Sequence, residues 1–273
     1  MIRYHNTQKY INIINECKTM NFNAVNKLES WFFHIIISER IVITMNTAVI
    51  VAAGRGTRMG AGINKQFIPL LDKPVLAHTL AAFQKSSGID SIILVAGKDE
   101  LQFCKKQVLN AYGFAKVDKL VEGGSIRQES VYNGLLEVDK RSEIVLIHDG
   151  ARPIVKQELI NRCIEGAKAY GAVSAGVPIK ETVKMVTRDH CVEYTPNREN
   201  VWVTQTPQAF KLEIIMSAHE NARRKGIIGT DDASLVECGG SVVRMIEGYY
   251  ENIKITTPED LITAETVLRT IEL

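Results

Sequence analysis

Residues 47–65 read TAVIVAAGRGTRMGAGINK, an apolar run of strand length that opens into a loop rich in glycine and cations. A continuous apolar run bounded by glycine marks a strand buried on both faces of a parallel sheet. Comparable runs recur as SIILVAG (91–97), EIVLIHD (143–149) and GAVSAGVPI (171–179). Helical segments fall between them: KPVLAHTLAAFQKS (73–86), DELQFCKKQVLNAYG (99–113), SIRQESVYNGLLEVD (125–139) and KQELINRCIEGAKAYG (156–171). Several of these end at a glycine, a common helix terminator. The alternation predicts an α/β fold with a doubly wound, mostly parallel, Rossmann-like sheet. Ligands of such sheets collect at the carboxyl ends of the strands, so residues directly after each run are candidates for function.

Three phosphate-binding designs compete for the loop at 52–65. A Walker A loop requires Gly-Lys followed by Ser or Thr, which is absent. A dinucleotide fingerprint is met by Gly54 and Gly56, but Met59 holds its third glycine position. The acidic residue that this fingerprint needs at a later strand end is replaced by the helical VLAHTLAAF. The third design is a nucleotidyltransferase loop. Cleavage between the α- and β-phosphates of a nucleoside triphosphate builds charge on both the phosphorus centre and the departing pyrophosphate. Backbone N–H groups freed by glycine can cradle those oxygens. Arg58 and Lys65 can supply full positive charges to the transition state. A plain turn carrying solvated cations is the weaker reading, because the loop directly follows the first buried strand.

The 273 residues are 45% hydrophobic and 23% charged, enough for one large domain with a full core. The net charge of +2 lies entirely in the first 44 residues, which hold five basic against three acidic side chains. The neutral remainder argues against nucleic acid or an anionic membrane as the main partner. No apolar run reaches membrane-spanning length; WFFHIIIS (31–38) is too short and contains a histidine. Cys17, Cys104, Cys163, Cys191 and Cys238 show no metal spacing, so reduced, mostly buried thiols in a cytoplasmic protein are expected. Residues 1–44, rich in Asn and Ile, read as an N-terminal extension or as an upstream start, with Met45 opening the working domain at 45–273. Residues 179–206 alternate apolar with polar around a turn at TRDH (187–190), which predicts a protruding β-arm. An isolated two-stranded arm is barely stable in water, so a second subunit is its expected support.

Six motifs in order now carry a family resemblance: AAGRGTRMG…NKQF, GGSIRQESVYNGL (123–135), HDGARP (148–153), TPQAF (206–210), GTDDASLVE (229–237) and ENIKITTPEDL (251–261). From about residue 46 onward the chain resembles the 2-C-methyl-D-erythritol 4-phosphate cytidylyltransferases. The resemblance implies a nucleotide-diphospho-sugar transferase type of fold, CTP and a polyol phosphate as substrates, Mg²⁺ or another divalent cation, and a homodimer with exchanged arms. The polyol's phosphate would attack the α-phosphorus of CTP and release pyrophosphate, with no covalent enzyme intermediate, since positioning and charge can carry such chemistry.

The resemblance also assigns roles. Arg58, Lys65, Arg198 and Lys254 become the catalytic cations, Arg198 and Lys254 gripping the acceptor phosphate. Ala52, Ala53, Gly54 and Gly56 become the triphosphate loop, with Gly123 and Ser130 against the cytidine. Arg152, Thr182, Thr206 and Thr230 become acceptor contacts, and Asp149 the metal ligand. Ser125 and Gly150 depart slightly from the family's usual residues. His148 reads as structural. Thr206 and Thr230 also suit helix N-caps, and Lys254 sits in a strand pattern. A ribitol-5-phosphate cytidylyltransferase and a non-catalytic nucleotide binder are the alternatives, and the full set of cations speaks against the second.

Overall fold

Ala48, Val49 and Ile50 have no exposed surface because their strand runs through the middle of a seven-stranded sheet. The computed structural model describes residues 44–54 and 64–271. The readings of residues 1–43, Cys17, Gly56 and Arg58 lie outside them. The strands are β1 (Met45–Ala52), β2 (Ser91–Ala96), β3 (Val117–Glu122), β4 (Ser142–Asp149), β5 (Ala172–Pro178), β6 (Trp202–Lys211) and β7 (Arg244–Glu247), in the spatial order β7-β5-β6-β4-β1-β2-β3. All neighbouring pairs are parallel except those of β6, which runs antiparallel to both β4 and β5. The expected mostly parallel α/β sheet is therefore present.

Successive residues of a strand face opposite sides, so each strand supplies two cores. Ile50, Leu94 and Leu146 pack on one face with Leu80 and Phe83 of α1 (Val75–Lys85). Leu159 and Cys163 of α3 (Gln157–Tyr170) complete that layer. Val49, Val95 and Ile147 face the other way, against Val131 and Leu135 of α2 (Arg127–Leu136) and Ile215 of α4 (Leu212–Lys225). Two further helices, α5 (Asp232–Cys238) and α6 (Pro258–Ile271), close the carboxyl half. Burying each large aliphatic or aromatic side chain in these layers contributes on the order of 2 kcal/mol.

The sequence reading differs from the fold in several elements, and α4 was not among the expected helices. β3 and β7 were not expected, because each is a sheet edge whose side chains are half exposed and so lack a continuous apolar run. The helix expected over 99–113 is a 3-10 turn at Lys98–Glu100, an α-helical turn at Leu101–Phe103 and a π-helical stretch at Cys104–Asn110. The arm is shorter than 179–206. Met185–Val186 pairs with Val192–Tyr194 across the expected turn, but Trp202 already pairs with Pro178 and re-enters the main sheet. Buried Gln205–Phe210 has a place between β4 and β5, and the exposed arm has none within the chain. Of the described cysteines, Cys104 and Cys163 are buried and Cys191 and Cys238 exposed, so the expectation of mostly buried thiols holds for half of them.

Candidate active site

Asp149 is the last residue of β4, where a buried strand meets the loops above the sheet. Its side chain is only 9% exposed, yet three cations converge on it. Lys254 Nζ lies 2.9 Å from Oδ2, Arg127 Nε donates to Oδ1 at 3.1 Å, and Arg152 Nε lies 3.6 Å from Oδ2. Burial opposes ionisation here. The charges of Arg127, Lys254 and Arg152 outweigh it and hold the carboxyl far below the ordinary carboxylate range.

Each cation is delivered by a different element. Arg127 opens α2, and its Nη1 also donates to Asp232 Oδ2 at 2.8 Å, at the start of α5. Arg152 follows β4 by one turn, and its Nη1 donates to Asn252 O at 2.8 Å. Asn252 is fully buried and donates from Nδ2 to Thr206 O and Gln205 Oε1. Ile255 N donates to Ala151 O at 2.8 Å, so Lys254 sits between two fixed points. This segment is extended loop rather than the expected strand.

Two cavities adjoin at this cluster, and Arg127, Asp149 and Lys254 line both. The larger, about 520 Å³, is bounded by Ala52, Ala53 and Gly54 at the end of β1, by Lys65 and Gln66, and by Gly124–Ser130 where α2 begins. Gly123 is required behind it: a Cβ there would meet Ala53 Cβ at 2.3 Å and Ser130 Oγ at 2.9 Å. Ser130 lines this cavity, but its hydroxyl is committed to the turn, accepting from Gly124 N and donating to Ile126 O. The smaller cavity, about 280 Å³, is lined by Arg152, Thr204, Thr206 and Thr230 beside the shared three. A bound phosphate or sugar phosphate in either would face the same positive rim.

The structure thus brings Ala52, Ala53, Gly54, Lys65, Ser130, Asp149, Arg152, Thr206, Thr230 and Lys254 to one strand-end region. Thr182 and Arg198 stay out of it, exposed on the arm. Neither proposed N-cap is one. Thr206 lies inside β6, where its Oγ1 accepts from Asp149 N at 3.1 Å. Asp231, not Thr230, caps α5 by accepting from Ser234 N. Gly150 matters more than the sequence suggests, since a Cβ there would approach Ala52 Cβ, Leu76 Cδ1 and Val51 O at 3.1–3.2 Å.

Arg127 and the polar frame behind it were missed. Asp232, 1% exposed, also accepts from the fully buried His219 ring at 3.1 Å. Burial disfavours the Asp232 charge, but Arg127 and His219 keep its carboxyl below the ordinary range. Gln208 of β6 accepts from Asp232 N and Ala233 N and donates to Asp231 Oδ2, holding the start of α5 against the sheet. The signal that could have found Arg127 is its place in GGSIRQES, directly after the glycine turn.

A divalent ion has a chemically suitable ligand in Asp149. The carboxylate offers roughly four lone-pair sites, and the described residues occupy only two of them with close contacts. Among the described residues no cluster of three or more His, Cys, Asp or Glu could hold a metal.

A family profile described as IspD, 2-C-methyl-D-erythritol 4-phosphate cytidylyltransferase, matches residues 46–270. The enzyme of that name from Alkaliphilus oremlandii is 47% identical over 228 residues, covering 84% of this chain and 97% of that one. The one from Clostridium novyi is 49% identical over 230 residues, covering 84% and 99%. Among solved structures, a 4-diphosphocytidyl-2C-methyl-D-erythritol synthase from Anaerococcus prevotii superposes with a TM-score of 0.73 at 35% identity, covering 83% of this chain and 99% of that one. The cytidylyltransferase from Thermus thermophilus gives 0.66 at 31% identity, covering 82% and 100%.

Proposed function

The chain belongs to the 2-C-methyl-D-erythritol 4-phosphate cytidylyltransferase family, and from that premise we propose that the two joined cavities are where it transfers a cytidylyl group from CTP to that polyol phosphate. The products are 4-diphosphocytidyl-2-C-methyl-D-erythritol and pyrophosphate, and the pathway is non-mevalonate isoprenoid biosynthesis. The observation that carries the assignment of the site is the cation-ringed Asp149 standing between the cavities.

The larger cavity takes CTP. Backbone after β1 receives the triphosphate, Gly123 and Ser130 border the cytidine, and Lys65 with Arg58 neutralises charge that grows as the phosphoanhydride opens. The smaller cavity takes the polyol phosphate, with Arg152, Thr206 and Thr230 as its contacts. Lys254, shared by both, holds the attacking phosphate oxygen beside the α-phosphorus, which removes much of the entropic cost of their meeting. No protein nucleophile is involved. Mg²⁺ would bind Asp149 together with phosphate and water oxygens, and when bound it supplies charge neutralisation on the triphosphate.

Thr182 and Arg198 reach an acceptor only if the arm crosses to a second subunit, so the working form is a homodimer with exchanged arms. The exposed Met185, Val186, Val192 and Tyr194 give that arm an apolar surface to bury. The unpaired described cysteines fit a reducing cytoplasm. No helix among the described residues is long and apolar enough to cross a membrane.

Pyrophosphate release with CTP, Mg²⁺ and one polyol phosphate at a time tests the assignment. Methylerythritol phosphate should support turnover and ribitol 5-phosphate should not. Equal rates with both would overturn the acceptor, and turnover by Lys65→Ala at the wild-type rate would overturn the placement of CTP.

A further inference from the structure

Lys65 cannot act on a triphosphate unless something fixes the short segment that carries it. Lys65–Phe67 is a single 3-10 turn, closed by Phe67 N to Asn64 O at 2.9 Å and Ile68 N to Lys65 O at 3.3 Å. One turn of that kind has little stability of its own. The side chains of both residues beside Lys65 reach the same carboxylate. Asn64 Nδ2 donates to Glu100 Oε1, and Gln66 Nε2 reaches Glu100 Oε2 at 3.4 Å while donating to Ala52 O at 2.6 Å. Phe67 then packs at a tilt against Phe103, with ring centroids 4.8 Å apart. The buried Gln66 amide thereby joins the end of β1 to Glu100.

Glu100 lies 36 residues beyond Asn64 and does not line either cavity. Local structure accounts for only one of its contacts, Gly97 N to Oε2 at 3.2 Å, which starts its own turn. We propose that Glu100 is a positioning residue for the cytidylyl transfer: its carboxylate clamps Asn64 and Gln66 so that Lys65, between them, is held toward the triphosphate. The proposal rests on the role given to Lys65 above. A carboxylate suits the task because it accepts from several amides at once. A loosened turn misplaces the Lys65 ammonium by the order of 1 Å, and such misplacement costs up to about 100-fold in rate.

The test measures single-turnover pyrophosphate release, the KM for CTP and the melting temperature for Glu100→Ala, Asn64→Ala, Lys65→Ala and the Glu100→Ala/Lys65→Ala pair. Glu100→Ala and Asn64→Ala should each slow the chemical step by about 10- to 100-fold while the KM for CTP moves little. Asn64→Ala leaves the Gly97 contact intact, so a loss shared by both variants cannot come from the local turn. In the Lys65→Ala background Glu100→Ala should add no further loss, because its effect passes through a side chain already removed. Wild-type chemistry in either single variant, or losses that add in the pair, overturns the proposal. If Lys65→Ala itself retains full rate, the role of Lys65 fails instead, and the two failures are told apart by that one variant.

Discussion

His148 has no exposed surface and spends both ring nitrogens on its neighbours. Its Nε2 lies 3.1 Å from Arg152 O, and a carbonyl can only accept, so Nε2 carries the proton. Thr206 Oγ1, already accepting from Asp149 N, donates its own hydrogen to His148 Nδ1 at 3.0 Å. The chain from Asp149 through Thr206 and His148 to Arg152 therefore works only with a neutral ring. Burial pushes the His148 pKa down from 6.5 to about 4, and the nearby charges do not restore it. The unfolded chain then takes up the proton first as pH falls, so stability should decline from pH about 6.5 toward about 4. Within that window each pH unit costs up to about 1.4 kcal/mol. Denaturant titrations across the window should show this slope in the wild type and its reduction in His148→Asn. Identical slopes in the two proteins would rule out the assignment. Arg127→Met should be worse at every pH above the window. It removes the cation shared by two buried carboxylates, Asp149 and Asp232, at a cost of about 3–5 kcal/mol by equilibrium unfolding. An unfolding free energy unchanged by that substitution would mean that Lys254, Arg152 and His219 suffice to hold the two carboxylates.

At the scale of elements, what was legible in the sequence depended on burial. β1, β2, β4 and β5 announce themselves because interior parallel strands are apolar on both faces, whereas VDKLVE at the β3 edge breaks its apolar residues with charges and hides. β6 hides for another reason: its first residues continue the Thr- and Val-rich pattern of the arm, so the boundary between arm and sheet carries no compositional mark. Of the site, loop glycines and strand-end residues could be read directly. Arg127 could not, because its partners stand 22 and 105 residues away. The approach of β1 to the turn before α2 is equally silent in sequence, yet it is tight. Gly123→Ala should force Ala53 and Ser130 apart, weaken CTP binding and cost about 1–3 kcal/mol. Calorimetric titration with CTP checks it, and wild-type affinity would show that the contact has slack.

For the whole molecule the question is whether one chain holds a complete site. Thr182 and Arg198 are exposed on the arm and apart from both cavities. Severely slowed Lys65→Ala and Arg198→Ala subunits, mixed and allowed to exchange, should recover about a quarter of wild-type activity, since half the dimers are mixed and each has one intact site. No recovery after exchange is verified by mass would mean that each chain uses its own arm. The fold also decides how the pocket waits. Lys254, Arg127 and Arg152 would repel one another if they converged on empty solvent, and Asp149 spares them this by acting as an internal counter-ion. An arriving phosphate then meets cations that a resident anion has already gathered, instead of having to assemble them itself.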